Sequence, residues 1–337
     1  MINNKDKKLT KLVVVGLLII AILLLLANKF LAGYYHRLVL LFGINVLLTL
    51  SLNITNGYTN IFSLGHGGLM LAGGYATALV TLPVKFKAEE LSLPQWLETL
   101  QLPFIPALIV AGTVAMLIGV IFLLPAFRLK GHYFILASMG ISAIMINLSE
   151  NFRFLTNGST GLRGVPPYTN IWWIYGIVGI LIYLVWTLMT SKYGRALRSI
   201  GKDEGLAEAL GINLPKYKAF AFMFSAFFTG VGGALWTHLI LTISPSSFDL
   251  TFLFQIVMML IVGGSASISG SIIGAAIITA VVEVLQPVQE GLMVFGYKLP
   301  PLFGLAQVLL AVFLIIVMIY KPDGIMGEKE FNLRKLV

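Results

Sequence analysis

The chain has 337 residues, 58% of them hydrophobic and only 11% charged, with a formal net charge of +9. Soluble domains carry about 25% charged residues, so this chain has too little charge to cover a water-facing surface and reads as an integral membrane protein. It has no cysteine, which excludes disulfides and thiolate metal sites.

Apolar runs reach the ~20 residues that a helical span needs. Strand-like alternation is absent, so helices rather than a barrel satisfy the backbone in lipid. The runs predict ten spans, at residues 11–32, 37–55, 60–82, 104–126, 132–149, 171–190, 217–242, 251–266, 269–286 and 302–320. The expected fold is all-α and polytopic, one transmembrane domain over 1–337. With the N-terminus inside, ten spans return the C-terminus to the cytoplasm. Most of the 23 basic residues then lie inside, among them Lys5, Lys7, Lys8, Lys11, Arg128, Lys130, Lys321, Lys329, Arg334 and Lys335. This positive-inside bias accounts for the net charge, and nucleic-acid binding is not needed.

The first run, from Leu12, has the form of a signal peptide, but Asn28-Lys29-Phe30 follows it with no small-x-small cleavage site. An uncleaved span is expected. The next stretch changes character at NITNGYTNIFSLGHGGLMLAGGYATALV, residues 53–80. Asn53, Asn56, Thr59, Asn60, Ser63 and His66 are too polar for lipid, and Gly65, Gly67, Gly68, Gly73 and Gly74 too many for a continuous helix. Such a stretch survives at membrane depth only where it is buried in protein or lines a cavity. Close packing through small residues explains Gly73 and Gly74; Asn56, Ser63, Gly65, His66 and Gly68 are the candidates for a translocation pathway. No second histidine or carboxylate stands at ligand spacing, so no metal site is expected at His66.

Residues 81–104 read as an external loop and 127–133 as a short basic cytoplasmic turn. In the span that follows, Ser138 and Ser142 share one helical face, which either bonds a neighbouring helix or lines the pathway. Asn151 to Tyr168 is rich in turn formers and falls outside, with Asn157, Gly158, Gly161 and Arg163 as candidate external contacts. Residues 191–218, SKYGRALRSIGKDEGLAEALGINLPKYK, carry six basic and three acidic side chains between two long apolar runs. The basic excess places them in the cytoplasm. Leu206 to Leu210 are helix formers, and Gly211 supplies a stop, so a short helix is held between two spans, suited to touching a cytoplasmic partner.

Beyond this loop, FFTGVGGALW favours close packing, while His238 and Trp236 are expected at the membrane interface. A second interruption, GGSASISGSIIGAA (263–276), brings Gly264, Ser265 and Ser269 to the pathway list. Interruptions near Ser63 and Ser265, one in each half, point to an internal inverted repeat of broken or re-entrant helices. Glu283 reads as an interface charge.

The run Glu208 to Lys218, EALGINLPKYK, resembles the coupling loop of ABC-importer permeases, with Leu210 in place of the usual second alanine. More narrowly, GRALRSIGKDEGLAEALGINLPKYK is similar to the M-type permease of branched-chain amino-acid importers. Ser63 to Tyr75, Phe127 to Tyr133, Asn151 to Tyr168 and Tyr320 to Gly327 match further motifs of that family in order. The resemblance implies that Arg198, Asp203, Glu204, Glu208, Ala209, Gly211 and Pro215 couple the chain to its ATPase. It also implies a second, H-type permease, two ABC ATPase subunits and an extracytoplasmic substrate-binding protein, in a bacterial or archaeal plasma (inner) membrane. Alternating access would then be driven by a push on a helix from Ser199 to Gly211.

No phosphate-cradling G-x-x-x-x-G-K-[ST] loop is present: Ala196 stands where the first glycine belongs and Asp203 where the hydroxyl belongs. No cofactor is expected on this chain, ATP being hydrolysed by partner subunits, and no nucleophile or base constellation suggests an enzyme. Urea or short-amide permeases of the same family, and a stand-alone carrier or channel, are the alternative functions.

Overall fold

A computed structural model describes residues 22, 24–31, 33–123, 126, 129, 131–290, 293, 294, 297, 298, 304–327 and 330. Most of the expected first span, the basic positions 5–11, Arg128, Lys130, Lys329, Arg334 and Lys335 lie outside the described residues.

Helix α1 (Tyr34–Leu52) runs without a break into a π-helical turn, Asn53–Tyr58, giving one 25-residue apolar span. An extended segment follows, then α2 (His66–Thr81). Pro83 drives Leu82 out of the helical region, and the chain turns by 112° into α3 (Val84–Glu90). The expected external loop is therefore partly helical: α3 is followed by α4 (Gln95–Thr99). The buried Lys87 ammonium ties the two together, donating to the carbonyls of Leu97 and Leu100 at 3.1 and 2.5 Å.

The remaining helices are α5 (Phe104–Leu123), α6 (His132–Asn151), α7 (Arg153–Thr156), α8 (Ile171–Thr190), α9 (Lys192–Lys202), α10 (Glu204–Ala209), α11 (Leu214–Ile240), α12 (Leu250–Gly263), α13 (Ile268–Glu290) and α14 (Leu305–Tyr320). Two short antiparallel pairs complete the structure: β1 (Leu162–Arg163) with β2 (Thr242–Ile243), and β3 (Met293–Val294) with β4 (Tyr297–Lys298). Among the described residues, seven helices are long and apolar enough to cross a membrane, the bent α2–α3 pair passes as an eighth, and α14 is a shorter apolar helix.

The centre of the bundle is α2, α5 and α11, and glycines let them touch. A Cβ at Gly73 would lie 2.4 Å from the Gly230 carbonyl oxygen, and one at Gly233 would lie 2.1 Å from that of Met70. These small residues act as the sequence predicts, bringing backbones into contact. Helix α1 packs beside them, against α8, α11, α12 and α13.

The second interruption does not sit where the sequence places it. Residues 264–267 form a turn between α12 and α13, at the same end of the bundle as α9 and α10. The interruption in the second half that meets the start of α2 is instead 241–249, which descends from the β1–β2 pair at the far end of the bundle to the first turn of α12. Its Phe248 carbonyl lies beside Gly67, fourteen residues, or roughly 21 Å, from the far end of α2. Ser142, which bonds the neighbouring Gly68, is ten residues, or roughly 15 Å, from the start of α6. Thus α2 begins deep in the bundle and runs away from the central loop, while α12 begins alongside α2 and runs towards that loop.

Candidate functional site

The extended segment ahead of α2 has few backbone partners of its own, so side chains satisfy it. Asn56 bonds Ser63 in both directions, its Oδ1 accepting from Ser63 N at 3.0 Å and its amide donating to Ser63 O at 3.3 Å. Ser138 Oγ accepts from Leu64 N, and Ser142 Oγ accepts from Gly68 N while donating to Leu64 O, at 2.9 to 3.0 Å. Ser63 Oγ accepts from Gly65 N. The α6 serine face bonds the extended segment, and Ser142 also borders a cavity between α6 and α12. His66 is buried; its Nε2 lies 2.8 Å from Ser225 Oγ, which donates onward to Ser51 O.

A second junction was only partly legible. Asn53, fully buried at the start of the π-turn, uses its whole amide: it donates to Ser267 O and Ser271 Oγ and accepts from Ala266 N, all at 2.8 to 2.9 Å. It clamps α1 to the α12–α13 turn. There Gly264, at φ +117°, lies against Gly327, and a Cβ at Gly264 would stand 2.7 Å from Gly327 N. Ser265 is exposed at this turn. The Glu330 carboxylate caps α13, accepting from Ile268 N (2.7 Å), Ser269 N (3.2 Å) and Ser269 Oγ (2.9 Å), and receives the Tyr58 hydroxyl at 3.4 Å. Neither Glu330 nor Tyr58 is singled out by sequence reasoning.

The central loop abuts this junction. Its expected helix from Ser199 to Gly211 is broken at Asp203, because the Asp203 side chain accepts from Leu206 N and starts a new helix. Ser191 caps α9, Asn213 caps α11, Pro215 sits in the first turn of α11, and Gly211 ends the loop helix at φ +80°. Amphipathic α9 buries Gly194, Leu197 and Ile200. Gly201 touches the Tyr58 carbonyl, and the Arg198 guanidinium lies 5.6 Å from the Tyr58 ring centroid. Helix α10 is different: of Glu204, Leu206, Ala207, Glu208 and Ala209, only Ala207 is buried. Leu206 and Leu210 are 59% and 69% exposed, and Glu204 pairs with Lys218 at 2.6 Å.

The predicted external residues gather at the opposite end. Asn157 and Gly158 turn the chain through positive φ, Gly161 packs on the Ile243 carbonyl, and exposed Arg163 lies in β1. Here His238 turns inward instead of facing an interface: it is buried, with Nδ1 2.7 Å from Pro166 O and its ring stacked on Tyr168. Glu283 receives the Tyr34 hydroxyl. Two cavities flank the first turns of α12. One, of about 370 Å³, opens between α12 and α6; the other, of about 840 Å³, opens between α12, α13 and α14 and includes Phe62 of the extended segment.

The fold and site define a multi-pass, all-α membrane protein, with interrupted helices meeting inside the bundle and a capped helix displayed at one end. The family described as branched-chain amino acid transport system / permease component matches residues 34–319. The high-affinity branched-chain amino acid transport system permease protein LivM of Escherichia coli strain K12 is 23% identical over 317 residues, covering 84% of this chain and 68% of the relative. In Methanocaldococcus jannaschii, a probable LivM is 24% identical over 87% of this chain and 93% of its own length. A probable LivH from the same organism is 28% identical over 87% and 91%. No solved structure matches. The chain belongs to the branched-chain amino acid permease family.

Proposed function

We propose that this chain is the M-type permease subunit of an ATP-binding-cassette importer that carries branched-chain or other hydrophobic amino acids into the cell. It works beside an H-type permease, two ABC ATPase subunits and an extracytoplasmic binding protein, in the plasma (inner) membrane of a bacterium or archaeon, with both termini in the cytoplasm. Residues 191–218 are its coupling loop. The chain is not itself an enzyme and holds no cofactor; its partners hydrolyse the ATP.

The observation that carries this reading is the standing of α10. A helix that buries only Ala207, with Leu206 and the following Leu210 left bare, gains little from this chain's own packing. It fits a groove on a cytoplasmic partner. Behind it, contacts run without a gap from Gly201 to Tyr58, and from Asn53 to the α12–α13 turn. A push on α10 therefore reaches the interrupted helices through packed backbone. Differential contact of the ATPases with α10 in their open and closed states is what shifts the equilibrium between inward- and outward-facing forms.

Uptake of labelled leucine and of urea, in cells lacking the gene and in cells with it restored, tests the reading. Loss and recovery of leucine uptake is expected. Loss of urea uptake alone would replace the substrate, and purification of the chain without any ATPase would replace the mechanism with a stand-alone carrier.

A further inference from the structure

Asp249 is a carboxylate inside an apolar span, Pro245–Gly263. It follows the turn Pro245–Phe248, which meets the start of α2 through the Phe248 carbonyl beside Gly67 and packs on the outer turn at 158–160 on its other side, so it stands just inside the outer end of the bundle. Its carboxylate caps α12, accepting from Phe252 N at 3.0 Å. No lysine, arginine or histidine among the described residues pairs with it. It is exposed on the cavity of about 370 Å³ between α6 and α12, beside Ser142 and Asn147, with Met139, Ile146 and Leu253 forming an apolar wall. That size falls in the range of small-molecule sites, roughly 300–1,000 Å³, and so does the pairing of an apolar lining with a few polar groups. A carboxylate on an apolar span is a candidate functional group by default, since acyl chains do not solvate it.

We propose that this cavity holds the amino acid in transit, with Asp249 taking its α-ammonium group and the Met139–Ile146–Leu253 wall taking its apolar side chain. The inference rests on the amino-acid importer reading above. The capping bond alone does not require a charge, since asparagine caps a helix as well as aspartate. An ammonium ion leaving water does require one, and a charge-assisted hydrogen bond to a carboxylate is the strong way to supply it.

The test uses the complete transporter in proteoliposomes, with its binding protein, ATP and labelled leucine. In the wild type, leucine uptake is expected and should be unchanged when choline replaces sodium and potassium. Asp249→Asn should lower the maximal uptake rate at least tenfold while keeping assembly and binding-protein-stimulated ATP hydrolysis, and Asp249→Glu should recover part of it. Ala143→Trp, which fills the cavity from α6 and leaves the Asp249 residue in place, should also lower uptake. Asp249→Asn at the wild-type rate would leave Asp249 a helix cap and overturn the proposal. Collapse of wild-type uptake in choline would assign the carboxylate to a metal cation and overturn it too. If Asp249→Asn does not assemble, normal uptake by Ala143→Trp overturns it. A wild-type complex that carries no leucine refutes the importer reading itself, a result distinct from the others.

Discussion

The α-carbon of Gly201 lies against the carbonyl oxygen of Tyr58: a methyl group built on Gly201 would stand 2.6 Å from it. Helix α9 and the π-turn of α1 are therefore in backbone contact, with no flexible side chain between them to absorb motion. Gly201→Ala must push α9 away from α1. The expected outcome is a several-fold fall in leucine uptake per ATP hydrolysed, with the complex still assembled. Gly176→Ala on α8, where nothing lies within 4 Å, is the matched control and should change neither quantity. Equal coupling in the two variants would remove Gly201 from the relay.

The Asn53 clamp gives a stability prediction. Its amide serves three buried partners, and each group left unpaired costs about 1–3 kcal/mol. Asn53→Leu should therefore destabilise the protein by roughly 2–4 kcal/mol, read as a lowered unfolding temperature in detergent. A Cβ at Gly57 would collide with the Asn53 side chain and approach Ala266 N to 2.6 Å, so Gly57→Ala acts on the same clamp. The double variant should lose less than the sum of the singles, because residues sharing one network are not additive. Strict additivity would mean the two positions act separately.

Much of this architecture can be read from local chemistry. The apolar spans, the stop at Gly211 and the small side chain at Gly73 are local features, whereas the cap at Asp203 falls inside the helix expected from Ser199 to Gly211. The interruption near Ser63 was equally legible, because polar side chains and glycines crowd a membrane-length run. The partners of Asn53, more than two hundred residues on, carry no periodic signal, and the role of Glu330 depends on where the tail returns. Asp249 was missed for a different reason. The Ser244-Pro245-Ser246-Ser247 run looks like a plain outer loop, yet it packs against α2 and α6 as well as on the outer turn at 158–160, while the glycines and serines of 263–276 give the stronger local signal of an interruption.

Glu330 caps α13 from a segment close to the end of the chain. Glu330→Ala removes the acceptor for two backbone N–H groups and one hydroxyl, and loss of a cap costs about 0.5–2 kcal/mol. Glu330→Gln keeps an oxygen acceptor but loses the favourable charge at a helix N-terminus, so it should fall between Ala and wild type. Thermal unfolding of the three proteins checks the order. If Gln were as damaging as Ala, the charge rather than the geometry would hold the tail.

Gly211 joins α10 to α11 at φ +80°, and its N–H donates to Glu208 O at 2.9 Å. Proline is fixed near φ −65° and has no N–H to donate, so Gly211→Pro must reorient α10. Glu208→Arg leaves the backbone intact and reverses one charge on an exposed face. Both variants should insert and accumulate normally while transport falls by an order of magnitude, the proline through geometry and the arginine through its partner's groove. ATPase subunits retained on purification separate the two. The arginine variant should lose them in part, and full retention with full uptake would show that α10 does not carry the coupling.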